Sequence, residues 1–163
     1  MGSNGGISSS IPAPLSPIIE TDSMKRFLVE VAKGRFKIHG LVQEVGQDIL
    51  VSIWGGTRPH IGAIGIAIPR PSLKDPKKWS ATSSNFTFVG HKEDASVKEI
   101  SKKLAARLER NVVVTAGVHW EDITPREIRC VESLLREMSA QILKRFKGNM
   151  RTIPKKSGLI ESD

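Results

Sequence analysis

Between Ala63 and Ile68 the chain reads AIGIAI. Isoleucine alternates with alanine or glycine, and a period of two is what a β-strand turns into two separate faces. Ile64, Ile66 and Ile68 fall on one face; Ala63, Gly65 and Ala67 fall on the other. The small-residue face admits close approach by a helix or by another chain. The segment is read as one long strand starting at His60, with Pro69 and Pro71 ending it, because proline brings no N–H to a ladder. A chain with this strand must form a sheet and supply something to pack against it.

The neighbouring segments supply the rest. RFKIHGLV and DILVSIW flank QEVGQ, a β-hairpin pattern with Gly46 in the turn. SLKDPKKWSATSSN reads as a polar connector, and FTFVG as a short fourth strand. Val97, Ile100, Leu104 and Leu108 then recur at helical spacing over 94–109, where Asp94 or Ser96 suits a cap. NVVVTAG is a continuous apolar run, expected to be a strand buried on both sides. TPRE opens a second helix: Thr124 as cap, Pro125 in the first position, Glu127 closing a capping box. Ile128, Val131, Leu135, Met138 and Ile142 form its apolar stripe, with an end expected near 146–148 among lysines. Residues 24–33 match neither period cleanly. The expected class is α+β: a mainly antiparallel sheet of about five strands in the order ββββαβα, with two amphipathic helices on one face.

Residues 1–23 are rich in Gly, Ser and Pro and read as a disordered leader. Residues 24–148 read as one domain, and 149–163 as a basic flexible tail. Cys130 is the sole cysteine, which excludes an intrachain disulfide framework. No apolar run reaches the roughly 18 residues of a membrane helix, and no signal-peptide pattern opens the chain, so the expected compartment is the cytoplasm. The net charge of +8 raises the question of nucleic acid. The charge is dispersed, and no aromatic array lies beside a basic stripe, so a solvated basic surface is the preferred reading.

The chemistry-bearing residues gather at strand ends. His60, His91 and His119 each follow a turn or end a strand, while His39 lies within the first strand beside Lys37 and is expected to be exposed. If the three converge, with Glu93, Asp94, Glu121 or Asp122 nearby, they offer a zinc-like ligand set, though the spacing matches no metal motif. A second reading is an anion cradle. Gly55 and Gly56 free backbone N–H groups, Thr57 offers a hydroxyl and Arg58 a planar fork. Ser80, Thr82 and Ser83 add hydroxyls, and Lys92 adds charge beside a helix start. The same glycines also suit a plain turn. Trp54, Trp79 and Trp120 flank these segments as core or edge packing or as a stacking surface, with Trp79 and Trp120 the better placed for a flat ring. Cys130 falls beside the apolar stripe of the second helix, and no GxSxG frames a serine, so nucleophilic catalysis has little support.

Five segments in order carry a resemblance: GGTRPHIGA at 55–63, PRPS at 69–72, SAT at 80–82, GHKED at 90–94 and TAGVHW at 115–120. Together, over roughly 36–146, the chain resembles the small subunits that accompany bacterial gallate and hydroxybenzoate decarboxylases, the prenylated-flavin chaperone (D subunit) family. The resemblance implies a proteasome-assembly-chaperone-like fold that pairs as a homodimer. It implies binding of prenylated FMN or FMN as ligand, without turnover. Its implied partners are the catalytic subunit of a prenylated-FMN-dependent decarboxylase and a flavin prenyltransferase. It implies no catalytic residues. Gly55, Gly56, Thr57, Arg58, His60, Ser80, Thr82, Ser83, His91, Lys92 and His119 are the candidate ligand contacts; His60, His91 and His119 are also the metal candidates. The competing expectations are a metal-dependent hydrolase or isomerase built on these histidines, and an assembly chaperone that binds protein alone.

Overall fold

The computed structural model describes residues 25–88 and 94–150. The elements, in chain order, are β1 (Arg26–Lys33), β2 (Phe36–Val45), β3 (Asp48–Gly56), β4 (Ala63–Pro71), β5 (Trp79–Thr87), α1 (Asp94–Leu108), β6 (Val112–His119) and α2 (Pro125–Met150). The strands make one six-stranded sheet in the order β1-β2-β3-β6-β4-β5. Its pairings are antiparallel except β3 with β6, which run parallel. The fold is therefore α+β, mostly antiparallel, as the patterning predicts.

The extra strand relative to the expected count is β1. Its sequence RFLVEVAK alternates weakly, with only Val29 and Val31 buried. The second half of the stretch read as a connector is strand as well: β5 begins at Trp79 and is polar because it is the sheet edge, where Ala81 alone is buried. The hairpin forms as expected, with Val45 pairing Asp48 across a turn in which Gly46 takes φ +59°. Arg110, just before β6, locks that turn. Its guanidinium donates to the carbonyl oxygens of Gln47 (2.6 Å), Gly46 (3.0 Å) and Asp48 (3.4 Å) and to the Glu44 carboxylate (3.1 Å).

Register shows which face carries the helices. Gly40, Ile53, Ala116 and Ala63 are successive partners across β2, β3, β6 and β4, so they share a face. Gly40 lies under Met138 of α2, and Gly65, two residues along β4 from Ala63, lies under Val97 of α1. Both helices thus cover the same face. A β-carbon at Gly65 would stand 2.4 Å from the Val97 carbonyl oxygen. The small-residue stripe of β4 is occupied by α1, and is not open to another chain. The core lies between sheet and helices, with Ile38, Val42, Val51, Val97, Leu104, Met138 and Ile142 fully buried.

The opposite face carries no helix among the described residues. Ile66 and Ile68 are 49% and 59% exposed there, with Phe86 of β5 at 64%. For the same reason β6 is buried on one side only: Val112, Val114 and Ala116 are buried, while Val113 and Thr115 are half-buried. Pro71 is the last residue of β4, as expected, but Pro69 lies within the strand, pairing Ala81. β4 pairs β6 only from Ala63 to Ala67. Beyond that point its β6 side is an edge, where a missing N–H costs no ladder bond.

α2 starts as its sequence specifies. At α2 the Thr124 hydroxyl accepts from the Glu127 N–H (3.3 Å), and Glu127 accepts from the Thr124 N–H (2.9 Å), a reciprocal capping box. α2 continues to Met150, past the expected end. Among the described residues no helix is long and apolar enough to cross a membrane. The leader and nearly all of the basic tail fall outside the described residues.

Candidate functional site

Parallel pairing sets the carboxyl ends of β3 and β6 side by side, with Gly56 opposite His119. The segment 57–62, between β3 and β4, folds back along β6. The Thr57 N–H donates to the His119 carbonyl (2.8 Å) and the Gly62 N–H to that of Ala116 (2.9 Å). Two glycines permit this approach. Gly56 has φ +85°, and a β-carbon there would lie 1.8 Å from the His119 oxygen. At Gly117 a β-carbon would lie 2.1 Å from the His60 carbonyl oxygen.

The folded-back segment brings His60 and His119 together. Their ring centroids are 6.5 Å apart at 69°, edge to face. His60 Nδ1 donates to the Arg58 carbonyl at 2.8 Å, which fixes the proton on Nδ1 of the neutral ring. Arg58 Nη2 lies 3.0 Å from Glu121 Oε1, and His119 Nε2 lies 3.4 Å from the same oxygen. These side chains are roughly half exposed or more, so these contacts are weak and open to exchange with a ligand. The corner offers a guanidinium, imidazoles and a threonine hydroxyl, donors suited to a polar or anionic group.

A groove of about 420 Å³ opens next to the corner, within the range of small-molecule sites. It is lined by the backbone segment Gly55, Gly56, Thr57 and Pro59, by Arg35, Lys37, His39 and Trp54, and by Trp120. His39 and Trp54 are register partners whose rings stack at 22° with centroids 5.6 Å apart. Lys37 Nζ lies 2.9 Å and His39 Nδ1 3.3 Å from the Glu30 carboxylate. The Lys37 hydrogen bond holds the Glu30 carboxyl below the usual range. Arg35 Nε donates to Glu127 at 3.1 Å.

The structure thus gathers Gly55, Gly56, Thr57, Arg58, His60 and His119 at one sheet end. His60 precedes β4 instead of opening it. Ser80, Thr82 and Ser83 pair with Arg70, Ile68 and Ala67, toward the far end of β4. At about 3.4 Å per residue that is on the order of 14–24 Å from Ala63, where the corner begins. Thr82 Oγ1 accepts from Arg70 Nε there (3.0 Å), and Ser83 shares the helix-covered face with Ala67. His91 and Lys92 lie outside the described residues. Among the described residues no group of three or more His, Cys, Asp or Glu side chains is placed to hold a metal.

The tryptophans divide differently from expectation. Trp120 is buried and packs edge-on against Phe36 at 5.1 Å. Trp79 stands at the far end of β5, opposite Pro71. Trp54 is the indole beside the corner. Arg35, Lys37 and His39 line the groove, and strand periodicity alone does not single them out. The hairpin does so for His39: counting back from the Val45–Asp48 pair sets it opposite Trp54.

A family model described as the prenylated flavin chaperone LpdD-like domain matches residues 32–147. The chain is 25% identical over 108 residues to the protein LpdD of Lactiplantibacillus plantarum, an alignment spanning 66% of this chain and 76% of that protein. Among solved structures, a chain from a chaperone complex for yeast 20S proteasome assembly aligns at 13% identity and a TM-score of 0.38, over 79% of this chain and 96% of that one.

Proposed function

Because the chain belongs to the prenylated flavin chaperone LpdD-like family, we propose that it binds prenylated FMN and helps mature or deliver it to a prenylated-FMN-dependent (de)carboxylase. Family membership makes it an accessory chaperone rather than a catalyst. The observation that carries the ligand reading is the convergence of His60 and His119, with Arg58, on a backbone corner that Gly56 and Gly117 allow. In this reading the corner contacts the polar edge of the flavin. The flavin is held without turnover; the protein acts as a homodimer in the cytoplasm and meets the catalytic subunit and a flavin prenyltransferase as partners. Anaerobic titration with prenylated FMN tests the corner. His60→Ala is expected to weaken binding by about tenfold, the scale of a lost hydrogen bond to a charged or polar ligand group, with the melting temperature unchanged. An affinity within about twofold of the parent counts against it.

A second reading, assembly by protein contact alone, draws on the exposed Ile66, Ile68 and Phe86 of the open sheet face. It expects tight binding to the catalytic subunit by a chain that retains no flavin.

A further inference from the structure

Resting on the flavin reading, we infer that the ring of the ligand does not lie on the histidine corner but continues the His39–Trp54 stack, with its phosphate against Lys37 and Arg35. The groove carries this assignment. It is about 420 Å³, contiguous with the corner through Gly56 and Thr57, and its lining holds Arg35 and Lys37 but no carboxylate. His39 and Trp54 already lie nearly parallel at 22°, a geometry that extends to a third flat ring in offset stacking. Trp54 and His39 project from the open face, where no helix of the described residues competes for the space. Register explains the floor: Gly117 stands beside Trp54 in β6, and Gly56 beside His119, so neither neighbour raises a side chain into the path from indole to imidazole.

The cations are available in the sense that matters for a dianion. Lys37 contacts Glu30 and Arg35 contacts Glu127, but the Lys37 pair is 56% and 43% exposed and the Arg35 pair 49% and 29%. Exposed pairs of this kind contribute little and exchange readily. Arg35 donates its Nε to Glu127, and a guanidinium carries further N–H donors in a planar fork matched to phosphate. The ligand class is a flat heteroaromatic ring bearing a phosphate.

The full chain is titrated anaerobically with prenylated FMN, using Trp54→Leu, Trp54→Phe, Lys37→Glu and His60→Ala. Trp54→Leu is expected to weaken binding about tenfold or more, and Trp54→Phe by no more than about threefold, since a ring remains. Lys37→Glu, on an exposed side chain that folding tolerates, is expected to weaken it about tenfold by replacing attraction with repulsion. If His60→Ala weakens binding while Trp54→Leu and Lys37→Glu bind as the parent does, the ring subsite is overturned and the flavin reading stands. Should Trp54→Leu fail to fold by circular dichroism, Lys37→Glu decides alone, and an unchanged affinity overturns the assignment. A parent protein that binds no prenylated FMN overturns both.

Discussion

The backbone of Gly117 lies directly beneath that of His60: a β-carbon on Gly117 would stand 2.1 Å from the His60 carbonyl oxygen and 3.0 Å from His60 Cδ2. The position of the His60 imidazole therefore depends on β6 presenting a bare backbone there. Gly117→Ala must push segment 57–62 away from β6. The expected cost is about 1–3 kcal/mol of stability, as for other overpacked sites. Flavin affinity is expected to fall more than stability alone explains. Urea denaturation and flavin titration on one preparation check both; a variant with parental values in each shows that the contact is not needed.

Gly65 makes the corresponding contact on the helix side, 2.4 Å from the Val97 carbonyl oxygen if a β-carbon were added. That neighbour is helix backbone and yields little. Gly65→Val is expected to lower stability by about 2–4 kcal/mol and to loosen α1 as a unit, because the small stripe of β4 is what seats that helix. Hydrogen exchange resolved along the chain is the measurement: protection falls across α1 while the β2–β3 hairpin keeps its own.

At the other end of the sheet, Arg110 ties the β2–β3 turn through three carbonyls and Glu44. Arg110→Ala is expected to cost about 1–3 kcal/mol by leaving those partners unpaired. Arg110→Lys recovers little of it, since a single ammonium does not span the fork geometry. The denaturation midpoint shifts at an unchanged m-value.

Glu127 gives a pH signature. Its hydrogen bond with the Thr124 backbone N–H, helped by Arg35 and the Thr124 hydroxyl, lowers the carboxyl to about 2. A depressed folded-state value contributes stability that is fully present above the unfolded value, about 4.3, and is lost as pH falls through about 2. The melting-temperature gap between parent and Glu127→Gln is thus expected to be constant from about pH 5 to 7 and to close between about pH 4 and 2. The pair is exposed, so added salt narrows the gap. A gap that does not change with pH removes the charge from the account of this cap.

Legibility in the sequence followed how local each signal is. The α2 capping box, the hairpin about Gly46 and the two faces of β4 depend on neighbours within a few residues, and all three form as the sequence specifies. β1 and β5 do not announce themselves, because edge strands bury few side chains and tolerate polar ones: β5 is WSATSSNFT, and β1 buries only Val29 and Val31. The insertion of β6 between β3 and β4 is a long-range choice that no local pattern encodes. It decides the site, since it sets Gly56 opposite His119, while the antiparallel β4–β5 pairing carries Ser80 and Thr82 to the other end of the sheet. The hydroxyl-rich segment and the histidine corner read as one cradle along the chain and are two places in the fold. Trp54, least favoured of the three indoles on sequence grounds, becomes the one stacked on His39 in the groove because register places it opposite that histidine.

The most direct test of the central claim is the UV–visible spectrum and the mass of the small molecule released from the protein, purified without air from cells that also make the flavin prenyltransferase. The account predicts prenylated FMN at close to one per chain, lost in His60→Ala. A colourless protein that releases no flavin mass, yet still binds the catalytic subunit, would contradict it and leave assembly by protein contact as the function.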